Sequence, residues 1–269
     1  MRIALQVEYH GGAYCGWQSQ PSGCAVQDVL EDALAQIAGE RVVTICAGRT
    51  DAGVHARMQV VHFDAPRPRA LQAWVRGVNA LLPDTIAVVA ACVAPERFHA
   101  RFDAIERTYR YLLVSSAVRP ALHAGMVGWH HEAVAAAPMR EALAALIGEH
   151  DFSAFRSAQC QAKTPVRQMR SATVEQFGSL FVFEFRANGF LHHMVRNLIG
   201  SLLRIGRGRE RPQWLGELLA GRDRTRAAPT FSASGLYLHE VRYAPLWGLD
   251  LPGPRPCDAL AGSFGTGAR

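Results

Sequence analysis

Residues 46–56, CAGRTDAGVHA, bring together side chains that could do chemistry in one loop between two predicted strands. Asp51 is the candidate nucleophile, because a free aspartate ionises near pH ~3.9 and needs no base to activate it at neutral pH. Arg49 lies two residues earlier, where a guanidinium would keep the carboxylate ionised and aim it. An ordinary Asx turn between Gly48 and Gly53 would use the same residue types, so the local sequence leaves both interpretations open.

A second candidate lies in the segment RTYRYLL, residues 107–113, which alternates with the period of a strand. Tyr109 and Tyr111 share one face of this strand, and packing of both rings in a core is the alternative interpretation. Tyr109 opens the strand directly after a basic connector. This position favours Tyr109 as the ring that faces a cleft and stacks on a base.

Two other segments have the composition of nucleic-acid contacts. The connector FHARF, residues 98–102, interleaves aromatic and basic groups, which bind nucleic acid by stacking and by phosphate contact. Anchoring of a linker in the core explains it equally well. The polar loop QCQAK, residues 159–163, indicates no function by itself.

Apolar periodicity predicts a helix from Phe190 to Ile205. His192, His193 and Arg196 share a face outside its apolar stripe. Such a patch is usually solvated, and a histidine pair without a third ligand makes a poor metal site, so we expect no metal. Arg196 becomes functional if this face lines a cleft.

The charge of the chain is unevenly distributed. Its formal net charge is +6, and 28 of its 29 basic residues are arginine, with Lys163 the exception. Seven arginines face nine acidic residues up to Glu96, whereas 22 basic residues face 14 acidic ones from Arg97 onward. A genome rich in G and C would also favour arginine, but it does not explain the cluster RIGRGRER at 204–211. A polyanionic partner, RNA first, is therefore predicted.

Composition also bears on the compartment and on cysteine chemistry. No run of about 18 apolar residues and no signal-peptide pattern occurs, so we expect a cytoplasmic protein with no membrane association. The six cysteines lack a CxxC pair or zinc-ligand spacing, which predicts free thiols and no structural metal.

The order of predicted elements suggests an internal repeat. Strand 2–9, helix 26–38, strands 42–46 and 58–64, a helix near 70–80 and strand 85–93 give the order βαββαβ. The pattern returns as strand 108–114, helix 137–147, strands 166–176 and 180–186, helix 190–205 and strand 236–242. A short helix at 212–220 interrupts this second copy.

This order predicts an α/β (α+β) fold of two pseudo-symmetric split βαβ units with mainly antiparallel sheets, flanked by helices, and a central cleft. The predicted divisions are an N-terminal α/β subdomain at 1–104 that carries the aspartate loop and a C-terminal α/β subdomain at 105–245. A tail rich in proline and glycine follows at 246–269.

With these residues identified, the chain resembles the bacterial tRNA pseudouridine synthase TruA family. The resemblance rests on ordered motifs between residues 2 and 243: YHG at 9–11, GWQ at 16–18, GRTDAGVH at 48–55, FHARF at 98–102, YRY at 109–111, DF at 151–152, FLHHMVRN at 190–197 and GLYL at 235–238. It implies the pseudouridine synthase fold and isomerisation of uridine to pseudouridine at positions 38, 39 and 40 of the tRNA anticodon stem-loop.

The resemblance also implies residue roles. Asp51 matches the nucleophilic aspartate, Tyr109 the tyrosine that packs on the base, Arg49 the arginine linked to base flipping, and Arg196 an arginine near the catalytic carboxylate. Family contacts with tRNA fall on the following residues: Arg69, Phe98, His99, Ala100, Arg101, Phe102, Trp129, Gln159, Cys160, Gln161, Ala162 and Lys163. Ala117 departs from the family, which has a basic tRNA contact there.

The partner and cofactor expectations follow from the same resemblance and from the reaction. Family members act as homodimers in which one tRNA touches both subunits. An isomerisation needs no redox cofactor or energy source, which agrees with a sequence that lacks a phosphate-binding glycine loop. Two alternatives remain at this point: a hydrolytic RNA N-glycosylase that uses the same aspartate, and a non-catalytic RNA-binding module.

Overall fold

A computed structural model describes residues 1–254, and within them the chain forms ten strands and four α-helices. The chain divides into two compact units. The first contains Met1–Glu106 and the described residues from Tyr237 onward, and the second contains Arg107–Leu236. The prediction for the end of the tail and for the Cys257 thiol lies outside the described residues.

The first unit is built on a sheet in the order β4-β1-β3-β10, with β2 paired to β3. Its strands are β1 (Arg2–Tyr9), β2 (Ile45–Cys46), β3 (His55–Asp64), β4 (Ile86–Val93) and β10 (Leu236–Tyr243). Strand β1 runs antiparallel to β3 and to β4, and Tyr237 pairs with His55 where β10 runs parallel to β3. The last predicted strand therefore packs with the first unit.

Both faces of this sheet are covered. Two helical elements belong to this unit. They are α1 (Val26–Ala38) and a segment at 71–79 with a π-type turn at Ala73–Gly77. A small apolar cluster around Ala4, Phe98 and Ala100 is covered by residues after β10, where the Trp247 ring lies 5.6 Å from that of Phe98. The described part of the tail thus wraps onto the first unit.

The second unit is built on a sheet in the order β5-β9-β8-β7, with β6 paired to β5. Its elements are β5 (Ala104–Ser115), β6 (Gly128–His130), β7 (Gly148–Asp151), β8 (Val166–Phe177), β9 (Leu180–Ala187) and the helices α2 (Ala136–Leu143), α3 (Met194–Gly206) and α4 (Trp214–Gly221). One face is apolar, and Tyr111, Phe183 and Phe185 on it are fully buried. The other face carries polar pairs such as Arg110 with Glu184, 2.8 Å apart.

The mixed α/β class and mainly antiparallel pairing predicted from sequence are confirmed. Within residues 1–254, none of the helices has the length and apolar content needed to cross a membrane.

Three local predictions were wrong, because a contact or a backbone conformation that the local pattern does not show decides the structure. The predicted strand at 42–46 contains only β2, because the N–H of Thr44 donates to the Glu31 carboxylate at 2.7 Å instead of to a neighbouring strand. The helix predicted from Phe190 begins at Met194, because His193 has a left-handed backbone, with φ of 63°.

The third wrong prediction is that all cysteines are free. Cys15 and Cys24 form a disulfide, with Cα atoms 5.5 Å apart. The Cys15 N–H also donates to the Cys24 carbonyl at 3.0 Å, so the backbone itself brings the two residues together. No spacing rule shows this closure. Cys46, Cys92 and Cys160 are free.

Glu31 provides a test of how α1 holds the chain that leads to the aspartate loop. Its buried carboxylate accepts hydrogen bonds from the N–H and the hydroxyl of Thr44 at 2.7 and 2.8 Å. Glu31→Ala leaves both donors buried without that acceptor, so we expect the free energy of unfolding to fall by about 1–3 kcal/mol in chemical denaturation.

Asp32→Ala is the matched control, because Asp32 is the next residue of α1 and is exposed. We expect its effect to stay within about 0.5 kcal/mol. Equal losses for the two variants would contradict a specific role of the Glu31 carboxylate.

Candidate active site

The loop that carries Asp51 joins β2 to β3 in the first unit. Its turn is closed by the backbone, where the Val54 N–H donates to the Asp51 carbonyl at 3.1 Å. Gly53, with φ of 79°, occupies the position of this turn that favours glycine. The half-buried Asp51 thus takes part in this turn through its main chain.

Contacts on both sides fix the backbone next to Asp51. The hydroxyl groups of Tyr9 and Thr50 are 2.7 Å apart, and the Trp17 N–H donates to the Thr50 carbonyl at 3.0 Å. Upstream, the fully buried Gln59 side chain accepts from the Gly48 N–H at 3.4 Å and donates to the Gly48 carbonyl at 2.6 Å. Sequence patterns did not identify Tyr9 or Gln59 as supports of this loop.

Two glycines let neighbouring backbones approach this loop. A Cβ on Gly11 would lie 1.9 Å from the Val54 carbonyl oxygen, and one on Gly16 would lie 2.8 Å from the Thr50 carbonyl oxygen. Any side chain at either position would push the loop away. These contacts explain why the short motifs YHG and GWQ accompany the aspartate loop.

Arg49 and Cys46 both precede Asp51 closely in sequence, but Arg49 is exposed and Cys46 is buried. Arg49 is exposed and makes no ion pair or hydrogen bond through its side chain with any residue in 1–254, so the expected pairing with Asp51 is not present there. Burial raises the pKa of the Cys46 thiol to about 12, despite the opposing charge of Arg49. Cys46 is therefore protonated at neutral pH and is no competing nucleophile in this loop.

The segment 98–102 divides into a buried and an exposed part. Phe98 and Ala100 are fully buried, and the Phe98 ring packs 5.1 Å from that of Tyr243. Phe102 is 74% exposed, its ring stacks 4.2 Å from His99, and the Arg101 guanidinium lies 5.7 Å above it. Core anchoring is thus confirmed for Phe98 and Ala100, whereas nucleic-acid contact by Arg101 and Phe102 stays a prediction.

A buried histidine holds this segment on the sheet. His62 of β3 is 2% exposed, and its Nδ1 accepts the Ala100 N–H at 3.1 Å. Burial lowers the pKa of His62 to about 4, with the charges of Arg2 and His99 acting in the same direction and those of Asp64 and Asp103 opposing. His62 is therefore neutral at pH 7 and can accept this hydrogen bond.

In the second unit, Tyr109 lies on β5 opposite Phe185 of β9. It is 9% exposed, and its ring meets that of Phe190 edge to face with centroids 4.9 Å apart. Tyr111, two residues on, is fully buried and donates to the Ser232 carbonyl at 3.0 Å. Burial raises the pKa of the Tyr111 phenol far above its usual range, although Arg196 opposes the shift, so Tyr111 is a core residue.

Arg196 lies in the first turns of α3 and is half-buried. Its Nε donates to the Phe231 carbonyl at 2.9 Å, and the Phe231 N–H donates to the Arg196 carbonyl at 3.2 Å. The next residue, Asn197, is fully buried; it donates to the Phe155 carbonyl at 2.8 Å and accepts from Arg224 and Thr230 at 3.0 and 2.7 Å. Asn197 fixes the start of α3, a role that its place at the end of the motif FLHHMVRN did not indicate.

His192 and His193 precede α3, so they do not share a helix face with Arg196 as predicted. Their rings lie 4.0 Å apart.

The loop 159–163 is tied to the same region. Arg156 donates to the carbonyls of Cys160 and Ala162 at 2.7 and 2.9 Å, and the His192 N–H contacts the Cys160 sulfur at 3.4 Å. Burial acts to raise the pKa of the Cys160 thiol, but N–H donors from Ala162, His192 and Arg156 outweigh it and lower that pKa. The predicted contacts Gln159, Gln161 and Lys163 are exposed.

The remaining predicted contacts are surface residues. Arg69 is exposed in the loop before the helical segment at 71–79. Trp129 on β6 is 38% exposed, and its indole N–H donates to the Ser116 carbonyl at 2.8 Å. The structure thus groups Arg49 and Asp51 in one loop of the first unit and places Tyr109 and Arg196 in the second.

These supporting contacts involve the motifs that characterise one family. The chain belongs to the tRNA pseudouridine synthase family, which it matches over residues 5–103 and 142–244. It is 58% identical over 243 residues to tRNA pseudouridine synthase A of Thiobacillus denitrificans, covering 90% of this chain and 94% of the relative. The corresponding protein of Dechloromonas aromatica is 56% identical, covering 94% and 96%. That of Nitrosomonas europaea is 51% identical, covering 97% and 96%.

A solved structure of a Cbf5-Nop10-Gar1 complex aligns with 88% of this chain and 48% of its own chain, at 14% identity and a TM-score of 0.33. A TM-score this low supports no comparison of folds.

Gly11 tests the close backbone approach beside the aspartate loop. Gly11→Ala places a methyl group where the Val54 carbonyl oxygen lies, so the loop must shift. We expect the free energy of unfolding to fall by about 1–3 kcal/mol in chemical denaturation.

Gly216→Ala is the control for the Gly11 variant. Gly216 lies within α4, and a Cβ on it would contact the Cβ of Ala145 at an ordinary 3.4 Å. We expect it to be neutral or to stabilise by up to about 1 kcal/mol, since alanine favours a helix over glycine. If Gly11→Ala were as stable as Gly216→Ala, the loop would not depend on this contact.

His62 generates a prediction for stability against pH. The folded state lowers its pKa from 6.5 to about 4, so protons bind the unfolded chain more readily. The stabilisation is fully present above pH 6.5 and is lost as pH falls toward 4. We expect His62→Gln, whose amide oxygen can still accept an N–H, to show a shallower fall in the free energy of unfolding across this window.

The exposed His131, 64% accessible through its side chain, provides the control. His131→Gln should follow the wild-type pH dependence of unfolding. Superimposable curves for wild type and His62→Gln would show that protonation of His62 does not destabilise the fold.

Proposed function

We propose that this protein isomerises uridine to pseudouridine in the anticodon stem-loop of tRNA, at positions 38, 39 and 40, in the cytoplasm and as a homodimer. Its membership of the tRNA pseudouridine synthase family over most of the chain supports the reaction and the substrate class. The observation that carries the chemistry is the fixed loop that presents Asp51.

Asp51 acts as the nucleophile. The reaction breaks the bond between C1′ of the ribose and N1 of uracil, and it forms a bond between C1′ and C5. N1 gains a proton and C5 loses one, so the product is an isomer and the reaction consumes no redox equivalent. The carboxylate attacks either C1′, as glycosidase nucleophiles do, or the uracil ring, and later leaves unchanged.

The other catalytic roles are carried over from the family. Tyr109 stacks on the target uracil, and its phenol is the candidate for moving the C5 proton. Its ring is already fixed edge to face against Phe190, so stacking on it costs little conformational entropy. Arg196, held by the Phe231 carbonyl, supplies positive charge to the reaction.

Arg49 takes part in base flipping. A base inside an A-form helix is inaccessible to side chains, and extruding it costs a few kcal/mol. The exposed Arg49 side chain makes no ion pair with the described residues, so it can occupy the place that the base leaves. Phosphate contacts elsewhere offset part of the cost of extrusion.

The tRNA contacts fall on the exposed members of the predicted set. These are Arg101 and Phe102 of segment 98–102, with Arg69, Trp129, Gln159, Gln161 and Lys163, and the half-buried His99 lies beside them. Phe98 and Ala100 support this segment from within the core. Stacking on the Phe102 ring and phosphate contact by Arg101 is the combination typical of single-stranded RNA binding.

Asp51→Asn tests this proposal. The variant keeps the shape of the side chain but replaces the nucleophilic carboxylate with a neutral amide, so we expect pseudouridine formation to fall by at least about 10³-fold while tRNA binding stays within about threefold. Purified protein is incubated with unmodified tRNA, and pseudouridine is mapped at nucleotide resolution.

Asp84→Asn is the matched control, because Asp84 is an exposed carboxylate of the same unit and lies outside residues 46–56 in sequence. It should retain wild-type turnover. Release of free uracil with loss of tRNA mass would identify an N-glycosylase instead, and wild-type turnover by Asp51→Asn would remove Asp51 from the mechanism.

A further inference from the structure

A pocket of about 550 Å³ lies beside α3 in the second unit. Gly200 and Leu203 of α3 and the segment 228–231 line it, together with His130. Gly200 lets the segment 228–231 lie close to α3, because a Cβ at this position would lie 2.3 Å from the Pro229 carbonyl oxygen. Three arginines, Arg204, Arg207 and Arg209, complete the lining. They belong to the basic cluster at 204–211, which the proposed catalytic roles do not use.

The charges around this pocket are only partly compensated. Arg207 donates through Nε and one terminal nitrogen to Glu132 at 2.7 and 2.5 Å, and Arg204 pairs with Glu210 at 2.8 Å. Arg209 is exposed, and its side chain makes no ion pair or hydrogen bond with a residue in 1–254. A guanidinium has five N–H donors, so the two paired arginines also retain donors for another acceptor.

The lining combines these arginines with an aromatic ring. Phe231 is half-buried and belongs to the lining, whereas the Thr230 hydroxyl is already used in a hydrogen bond to Asn197. Guanidinium groups beside an aromatic ring are the chemistry that binds a phosphate and its attached nucleoside.

The position of the pocket relates it to Arg196. Arg196, Gly200, Leu203 and Arg207 follow one another at helical spacing along one side of α3. The segment 228–231 runs beside them, from the Phe231 carbonyl at Arg196 to Pro229 at Gly200. Eleven residues at a rise of about 1.5 Å place Arg207 roughly 16 Å along the helix from Arg196.

We propose that this pocket binds a phosphodiester of the tRNA, on a nucleotide other than the one that is isomerised. The proposal rests on the proposed function, because Arg196 then marks where the target nucleoside lies. Arg209 supplies a guanidinium that has no hydrogen-bonded or ion-paired partner among residues 1–254, Arg204 and Arg207 supply further N–H donors, and Phe231 contacts the attached nucleoside. Two of the three arginines are exposed. A pocket this open fits a phosphate of a polymer, which other surfaces also hold, better than it fits a small anion that must be enclosed.

The test compares Arg209→Gln with Arg211→Gln. Arg211 belongs to the same basic cluster, is paired with Glu217 at 2.5 Å and is not part of the pocket lining. Both substitutions remove one positive charge, so a difference between them reports the pocket and not the net charge. Thermal denaturation of each variant checks that both are folded.

We expect Arg209→Gln to raise the dissociation constant for unmodified tRNA and KM by about 3–10-fold. It should also lower the slope of log K against log salt by about 1. Arg211→Gln should change each value by less than about twofold. Equal effects of the two variants, or no effect of either, would overturn the proposal.

Inorganic phosphate serves as a second probe. A change in its binding by Arg209→Gln with no change in tRNA binding would assign the pocket to a free anion and overturn the tRNA contact. The proposed function fails separately, when the wild-type protein forms no pseudouridine. In that event a selective loss of tRNA affinity in Arg209→Gln would still support the pocket.

Discussion

The geometry of the aspartate loop depends on backbone segments that approach more closely than any side chain would permit. Gly11 meets the Val54 carbonyl and Gly16 meets the Thr50 carbonyl, and hydrogen bonds from Tyr9, Trp17 and Gln59 fix what lies between. The cost of ordering this loop is therefore met during folding and not when substrate arrives. A nucleophile held in this way reacts with little further loss of conformational freedom.

The second unit achieves a similar result with a buried polar side chain. Asn197 satisfies both ends of its amide through Phe155, Arg224 and Thr230, and this holds the segment that ends at Phe231 against α3. A fully satisfied buried amide specifies one arrangement, because any alternative would leave its donors or acceptors unpaired. Arg196 receives its orientation from this arrangement, since its Nε donates to the Phe231 carbonyl. In both units the candidate catalytic side chain depends on a neighbour that does no chemistry.

Periodicity predicted the elements whose pattern of apolar and polar residues continues unchanged from one end to the other. Strand β1 and the hairpin of β8 and β9 were predicted to within a residue, because alternation continues up to each turn. The start of α3 was not, because apolar spacing continues through Leu191 although the left-handed backbone of His193 ends it. The disulfide and the Thr44–Glu31 contact were equally invisible, since each depends on residues that folding brings together. Motif order indicated the candidate site residues, whereas their supports, Tyr9, Gln59 and Asn197, became evident only from contacts.

The partial compensation of the arginines has a physical consequence for RNA binding. Phosphate contacts contribute affinity that is independent of sequence, and each additional free cation strengthens binding to every RNA alike. Glu132 and Glu210 neutralise Arg207 and Arg204 while leaving some of their N–H donors available. A guanidinium paired in this way is already oriented. It can therefore donate a directed hydrogen bond to a phosphate while adding less to the attraction for RNA of any sequence. An enzyme that must release its modified product benefits from this balance, because excess positive charge would slow dissociation as much as it strengthens binding.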